Sequence, residues 1–165
     1  MRHLFLAVVL SVSVFSTAHA EKPFPVITDP VVIKECSDCH MLYQPEMLTQ
    51  IAWSKMMNGL SDHFGDDASM QADTSKHILD FYLANAADVT TYKDAGRFLR
   101  NIDPANPPLK ITDTPRYKHK HERIAADVWK RKNIGFKGNC VACHVDAGKG
   151  DYEEIAKNIM YKWVD

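Results

Sequence analysis

The chain has 165 residues, 45% of them hydrophobic, and sets 20 Lys and Arg against 21 Asp and Glu for a net charge of −1. That length suits one domain with a modest core, and the near balance of charge argues against nucleic acid as a partner. The charge is nevertheless uneven: seven aspartates and two lysines lie between Ser61 and Asp94, nine Lys or Arg and three acids between Lys110 and Lys137.

Residues 1–20 read as a secretory signal peptide, with Arg2 and His3 as a basic start, an apolar stretch from Leu4 to Val14, and Ala18-His19-Ala20 as an A-x-A cleavage site before Glu21. A retained anchor helix is the alternative, but the apolar run falls short of the roughly 20 residues that span a bilayer. No second apolar segment follows, so export to the periplasm without a remaining membrane span is expected. Removal of Arg2 leaves 19 basic against 21 acidic residues, a net charge of about −2.

The rest of the chain reads as helical, with few strand signals. After Cys36-Ser37-Asp38-Cys39-His40, Pro45 suits the first position of a helix running to about Leu60, with Leu48, Ile51, Ala52, Met56 and Leu60 at helical spacing. A second helix is predicted from Asp73 or Thr74, carrying Ile78, Leu79, Tyr82, Leu83 and Ala86 on one side. The stretch 102–113, with prolines at 104, 107 and 108, cannot continue a helix and reads as a linker between an N-terminal lobe, 21–101, and a C-terminal lobe, 114–165. A third long helix is predicted from Thr114, with Pro115 first, to about Lys132. Beyond Cys140-Val141-Ala142-Cys143-His144, Gly148 and Gly150 precede a short terminal helix with Ile155, Ile159 and Met160.

Every cysteine therefore lies in a C-x-x-C-H motif. Such spacing lets two thiols reach the two vinyl groups of one porphyrin while the adjacent imidazole binds the iron, so two covalent haem c groups are expected on Cys36, Cys39, Cys140 and Cys143, with His40 and His144 as iron ligands. Zinc sites, disulfides and thioredoxin-like pairs also use C-x-x-C. An immediate His after each pair, no cysteine left over, and about a hundred residues between the pairs all disfavour them. Two macrocycles would supply apolar surface around which short helices in two lobes can pack, giving an all-α dihaem domain whose haem-free form is poorly folded.

What fills each sixth position decides the chemistry, because a bound His or Met makes an electron carrier and an open position makes a binding site or enzyme. Tyr117, His121, Ile124, Ala125 and Val128 form one apolar stripe of the third helix, while His119 shares its face with Glu122, Arg123 and Lys130. His121 is therefore the candidate at the second iron. His63 extends the stripe Leu48, Ala52, Met56, Leu60, and Gly65 would accept the left-handed conformation at the helix end. It is the candidate at the first iron, with His77, Met56 and Met57 as rivals.

The order of these pieces resembles the bacterial dihaem cytochrome c family: the early motif, the run Asn58-Gly59-Leu60-Ser61-Asp62-His63-Phe64-Gly65-Asp66-Asp67-Ala68, Tyr82-Leu83-Ala84-Asn85-Ala86, His121-Glu122-Arg123-Ile124, and the late motif followed by Ala147-Gly148. The resemblance implies a small helical periplasmic cytochrome with two low-spin, bis-histidine haems, His40 and His63 on one iron and His144 and His121 on the other. Some members of that family pass electrons to a small monohaem cytochrome. His77 and His119 are additions to the family's pattern.

The expected function is one-electron transfer between redox partners, including such a monohaem cytochrome and a quinol-linked donor at the membrane, with no catalytic residues beyond the haems. Three alternatives differ in class: a dihaem subunit of a periplasmic reductase, a peroxidase-like enzyme, and a sensor with an open axial site. Solvated helix faces explain most charge runs, yet the basic segment beside the second motif would also steer an oppositely charged partner.

Overall fold

A computed structural model describes residues 23–153 and residue 155. The signal segment 1–20, and Ile159 and Met160 of the terminal helix expected from sequence, lie outside the described residues. Among those residues the fold is all helical, with four α-helices joined by short 3₁₀ turns and no strand beyond two isolated bridges, His63 with Asp66 and His144 with Ile155.

The first helix, α1 (Pro30–Cys36), is one that periodicity alone does not announce. Its start is nonetheless written locally: Asp29 Oδ1 accepts from the Val31 and Val32 amides at 2.9 and 3.1 Å, and Pro30 supplies a preset φ where no donor is needed. Ser37 ends it by donating its hydroxyl to the Ile33 carbonyl at 2.6 Å. Cys36 is thus the last helical residue, and Cys39 and His40 fall in the turn that follows.

The helix expected from Pro45 begins later. Pro45–Met47 makes one 3₁₀ turn, Leu48 is extended (φ −133°, ψ 163°), and α2 (Gln50–Met57) starts behind the Thr49 cap, whose Oγ1 accepts from the Ala52 amide at 3.2 Å. The interruption has a use. Leu48 is fully buried and its carbonyl accepts the Ala87 amide at 2.9 Å, tying the entry of α2 to the exit of α3 (Ala72–Asn85). Asp73, expected as a cap, instead sits in the first turn of α3, where a negative charge suits the helix dipole.

Helices α1, α2 and α3 enclose the hydrophobic core: Ile27, Val32, Leu48, Ala52, Trp53, Met57, Ile78, Tyr82 and Ala86. Burying each of the larger side chains contributes about 1.5–3 kcal/mol. Leu109 and Ile111 pack against this cluster. The proline-bearing stretch is therefore docked on the first core.

The third long helix is cut short. α4 (Pro115–His121) is capped by Thr114, whose Oγ1 accepts the Tyr117 amide at 3.2 Å and whose hydroxyl donates to the Ile111 carbonyl at 2.7 Å. It ends at His121 rather than near Lys132, and bonds of the i→i−3 type carry the chain onward, Ile124 to His121 and Val128 to Ala125. A seven-residue helix has little stability of its own. Turns bury Val128 and Ile134, at 2% and 1% exposure, which one straight helix facing no partner helix would not.

Finally, Phe24 joins the two ends of the described chain. Its amide donates to the Gly150 carbonyl at 2.9 Å, and its ring meets Tyr92, Phe98 and Tyr152. Gly150 (φ +84°) is required there, since a Cβ would lie 2.6 Å from the Phe24 carbonyl oxygen.

Candidate functional site

The first site gathers on the loops around the α1–α2–α3 core. His40 leaves the turn after α1 with its Nδ1 at 2.7 Å from the Met41 carbonyl. Because a carbonyl oxygen only accepts, that nitrogen carries the proton and Nε2 keeps its lone pair. His63 follows the 3₁₀ turn Leu60–Asp62, outside any α-helix. The left-handed residue at this point is Phe64 (φ 58°), with Gly65 also positive at φ 109°. The amide and carbonyl of His63 pair with Asp66 at 2.7 and 3.3 Å and close the turn that presents its ring. The His40 and His63 rings face each other with centroids 6.2 Å apart and planes 27° apart. Beside them opens a small cleft of about 80 Å³ lined by Met56, Gly59, Asp62, His63, Phe64 and Leu109.

The second site rests on α4. His121 Nδ1 lies 2.8 Å from the Tyr117 carbonyl one turn back, and the Tyr117 ring stacks on it at 4.1 Å. The Tyr117 hydroxyl donates to the Lys137 carbonyl at 2.9 Å, while Trp129 stands 6.1 Å from the His121 ring. Cys140–Ala142 forms a single 3₁₀ turn, and the Cys143 and His144 amides both donate to the Cys140 carbonyl, at 3.1 and 2.7 Å. The ring centroids of His121 and His144 lie 6.1 Å apart with planes 84° apart, an edge-on arrangement.

A metal ion between opposed imidazoles needs about 2 Å per metal–nitrogen bond and about 1 Å from each nitrogen to its ring centre, so about 6 Å between centroids. Both pairs meet that separation. Burial lowers the pKa of His63, His121 and His144 below the ordinary imidazole range, which keeps the rings neutral and able to donate a lone pair. Nδ1 of His63 is buried without a hydrogen-bond partner among the described residues. No disulfide joins the four motif cysteines, and burial raises the Cys36 and Cys140 thiols to about 11. No three His, Cys, Asp or Glu side chains among the described residues converge as a polyhedral metal site requires. Two imidazoles beside one motif's thiol pair at each site form a donor set that would suit a covalently attached macrocycle.

The remaining candidates are placed elsewhere. His77, on α3, has its Nε2 2.8 Å from Asp29 Oδ2 and is half exposed; its bond therefore ties α3 to the α1 cap. His119 is 77% exposed beside Glu122 at 3.6 Å. Met57 is a core residue, and Met56 lines the cleft next to His63. Sequence reasoning passed over Tyr43, Gln44, Tyr117 as a stacking residue, and Tyr152. Their roles depend on contacts between distant segments, for which local periodicity has no signal.

A family model described as dihaem cytochrome c matches residues 32–152. Three solved structures are similar to the chain. The diheme cytochrome c from Rhodobacter sphaeroides is 36% identical over 77% of this chain and 98% of its own, with a TM-score of 0.69. A crystal structure of DHC purified from Rhodobacter sphaeroides is 33% identical over 76% and 97%, with a TM-score of 0.62. A diheme cytochrome type c from Shewanella baltica OS155 is 25% identical over 78% and 89%, with a TM-score of 0.63. No curated protein matches the chain.

Proposed function

We propose, from the premise that this chain belongs to the dihaem cytochrome c family and so carries two c-type haems, that it is a periplasmic one-electron carrier with both irons held by paired histidines. His40 and His63 hold one, His144 and His121 the other, with thioethers at Cys36, Cys39, Cys140 and Cys143. The observation that carries this reading is the pair of ring separations, 6.2 and 6.1 Å, each suited to one six-coordinate metal. When bound, each haem supplies a one-electron couple whose potential the axial ligands and burial tune. The protein's own part is to hold its rings still: the Met41 and Tyr117 carbonyls fix the His40 and His121 tautomers, and Asp66 closes the His63 turn.

On this reading no acid, base or nucleophile is needed, and the protein is not itself an enzyme. Residues 1–20 direct export, and the mature chain forms one dihaem domain whose two haem lobes are joined through 102–113. Its partners are redox proteins met briefly over small interfaces, among them a small monohaem cytochrome as acceptor and a quinol-linked membrane donor. The basic run from Lys110 to Lys137 would steer such encounters, so partner reduction rates are expected to fall with ionic strength.

Electron paramagnetic resonance of the ferric protein beside His63→Met and His121→Met tests the ligation. Two low-spin signals are expected in the wild type, with a different one altered in each variant. High-spin iron in the wild type, or rapid carbon monoxide binding after reduction, would replace this reading with that of an enzyme or sensor.

A further inference from the structure

Tyr43 and Gln44 follow the first motif closely, yet both are bonded to the segment that carries the second. The Tyr43 ring lies 4.8 Å from the His40 ring, and its hydroxyl donates to the Gly138 carbonyl at 2.8 Å, two residues before Cys140. Gln44, 1% exposed, points Nε2 at the Ala147 carbonyl at 3.4 Å and accepts the Tyr152 hydroxyl on Oε1 at 2.6 Å. The Tyr152 ring in turn stands 5.6 Å from His144. The two neighbouring side chains therefore grip the second motif from its N-terminal and C-terminal sides. Their backbone is anchored as well, since the Tyr43 carbonyl accepts the Tyr82 hydroxyl of α3 at 3.2 Å. Gly138 makes room for the contact: a Cβ there would lie 2.7 Å from the Tyr43 hydroxyl oxygen and 2.8 Å from the Phe136 ring.

We propose that Tyr43 is the positioning residue that couples the two haem sites, its ring against His40 and its hydroxyl on Gly138 fixing the second attachment turn in register with the first. The connection consists of covalent bonds, one ring contact and one hydrogen bond, and it spans from an iron ligand of one site to the thioether segment of the other. With both haems bound, the exchange it would serve is one-electron transfer between the two sites. This inference rests on the electron-carrier and ligation reading above.

The test uses the mature protein with both haems attached. Tyr43→Phe keeps the ring and removes the donor, Gly138→Ala displaces the hydroxyl without altering Tyr43, and Tyr152→Phe releases Gln44 while leaving the Tyr43 bond intact. Intramolecular electron exchange, read from NMR of the half-reduced protein, is expected to slow several-fold in the first two variants and to hold its wild-type rate in the third. The paramagnetic resonance signal of the His144 site should shift in the first two while that of the His40 site stays put. Unchanged exchange in Tyr43→Phe and Gly138→Ala, or equal slowing in Tyr152→Phe, overturns the proposal alone. A wild type without two low-spin haems overturns the ligation reading, and the proposal with it.

Discussion

Around His40 and His63 the chain is held by three helices whose side chains bury one another, whereas around His121 and His144 it runs through one short helix and a series of turns. Among the described residues from 115 onward, the buried hydrophobic side chains are Val128, Ile134 and Ala147. The anchoring of the rings is reversed too. In the first site a carbonyl fixes the motif histidine, His40; in the second it fixes the opposed histidine, His121. Equal ring separations are thus reached by different means: a side-chain core supports the first site, while stacking by Tyr117 and cross-links from Tyr43 and Gln44 support the second.

Haem removal should expose this contrast most strongly. In protein made without haem attachment, hydrogen exchange is expected to leave amides of α2 and α3 protected while those from 115 to 150 exchange at nearly unfolded rates; uniform loss of protection would show that the first core does not stand alone. Core truncation comes next. Leu48→Ala should cost about 2–5 kcal/mol in denaturant unfolding of the holoprotein. Val128→Ala, which removes a smaller side chain, should cost about 1–3 kcal/mol.

The ring planes offer a spectroscopic version of the same comparison. Under the proposed ligation, near-parallel imidazoles at 27° would split the iron d orbitals rhombically, and near-perpendicular ones at 84° would leave them almost degenerate. The two ferric signals should therefore differ, with the larger principal g value belonging to the signal that His121→Met alters. Two identical signals would contradict the described ring orientations.

A smaller effect concerns Glu46, 2% exposed, whose Oε2 has no hydrogen-bond partner among the described residues and whose pKa burial raises. An acid with a raised folded pKa is neutral in both states at low pH and carries no penalty there. As pH climbs through the unfolded and then the folded value, ionisation favours unfolding. Glu46→Gln should therefore raise thermal stability by about 1–3 kcal/mol at neutral pH and leave it nearly unchanged below the ordinary glutamate range. Smallest of all, His77→Ala should leave both haem spectra unaltered, because that ring is engaged with Asp29.

Much of the site was legible from sequence because its signals are local. The two motifs need only five residues each, and the Thr114 cap and the stripe on α3 can be read within one or two turns. His121 stays beside His144 even though the stripe that pointed to it breaks after α4, since the direction of its side chain depends on the turn that precedes it. Boundaries were less legible where tertiary burial overrode propensity, at Leu48 and Val128. The cross-links were not legible at all, because Tyr43 finds its acceptor 95 residues away.

The bond from Phe24 to Gly150 also bears on the order of assembly. A chain synthesised from its N-terminus delivers Phe24 early and Gly150 late, so the earlier segment must wait for its mate. Closing so long a loop is slow. The first thiol pair can therefore be modified while its surroundings are still open, and the ring of contacts through Phe24 can latch only after the last pair has emerged.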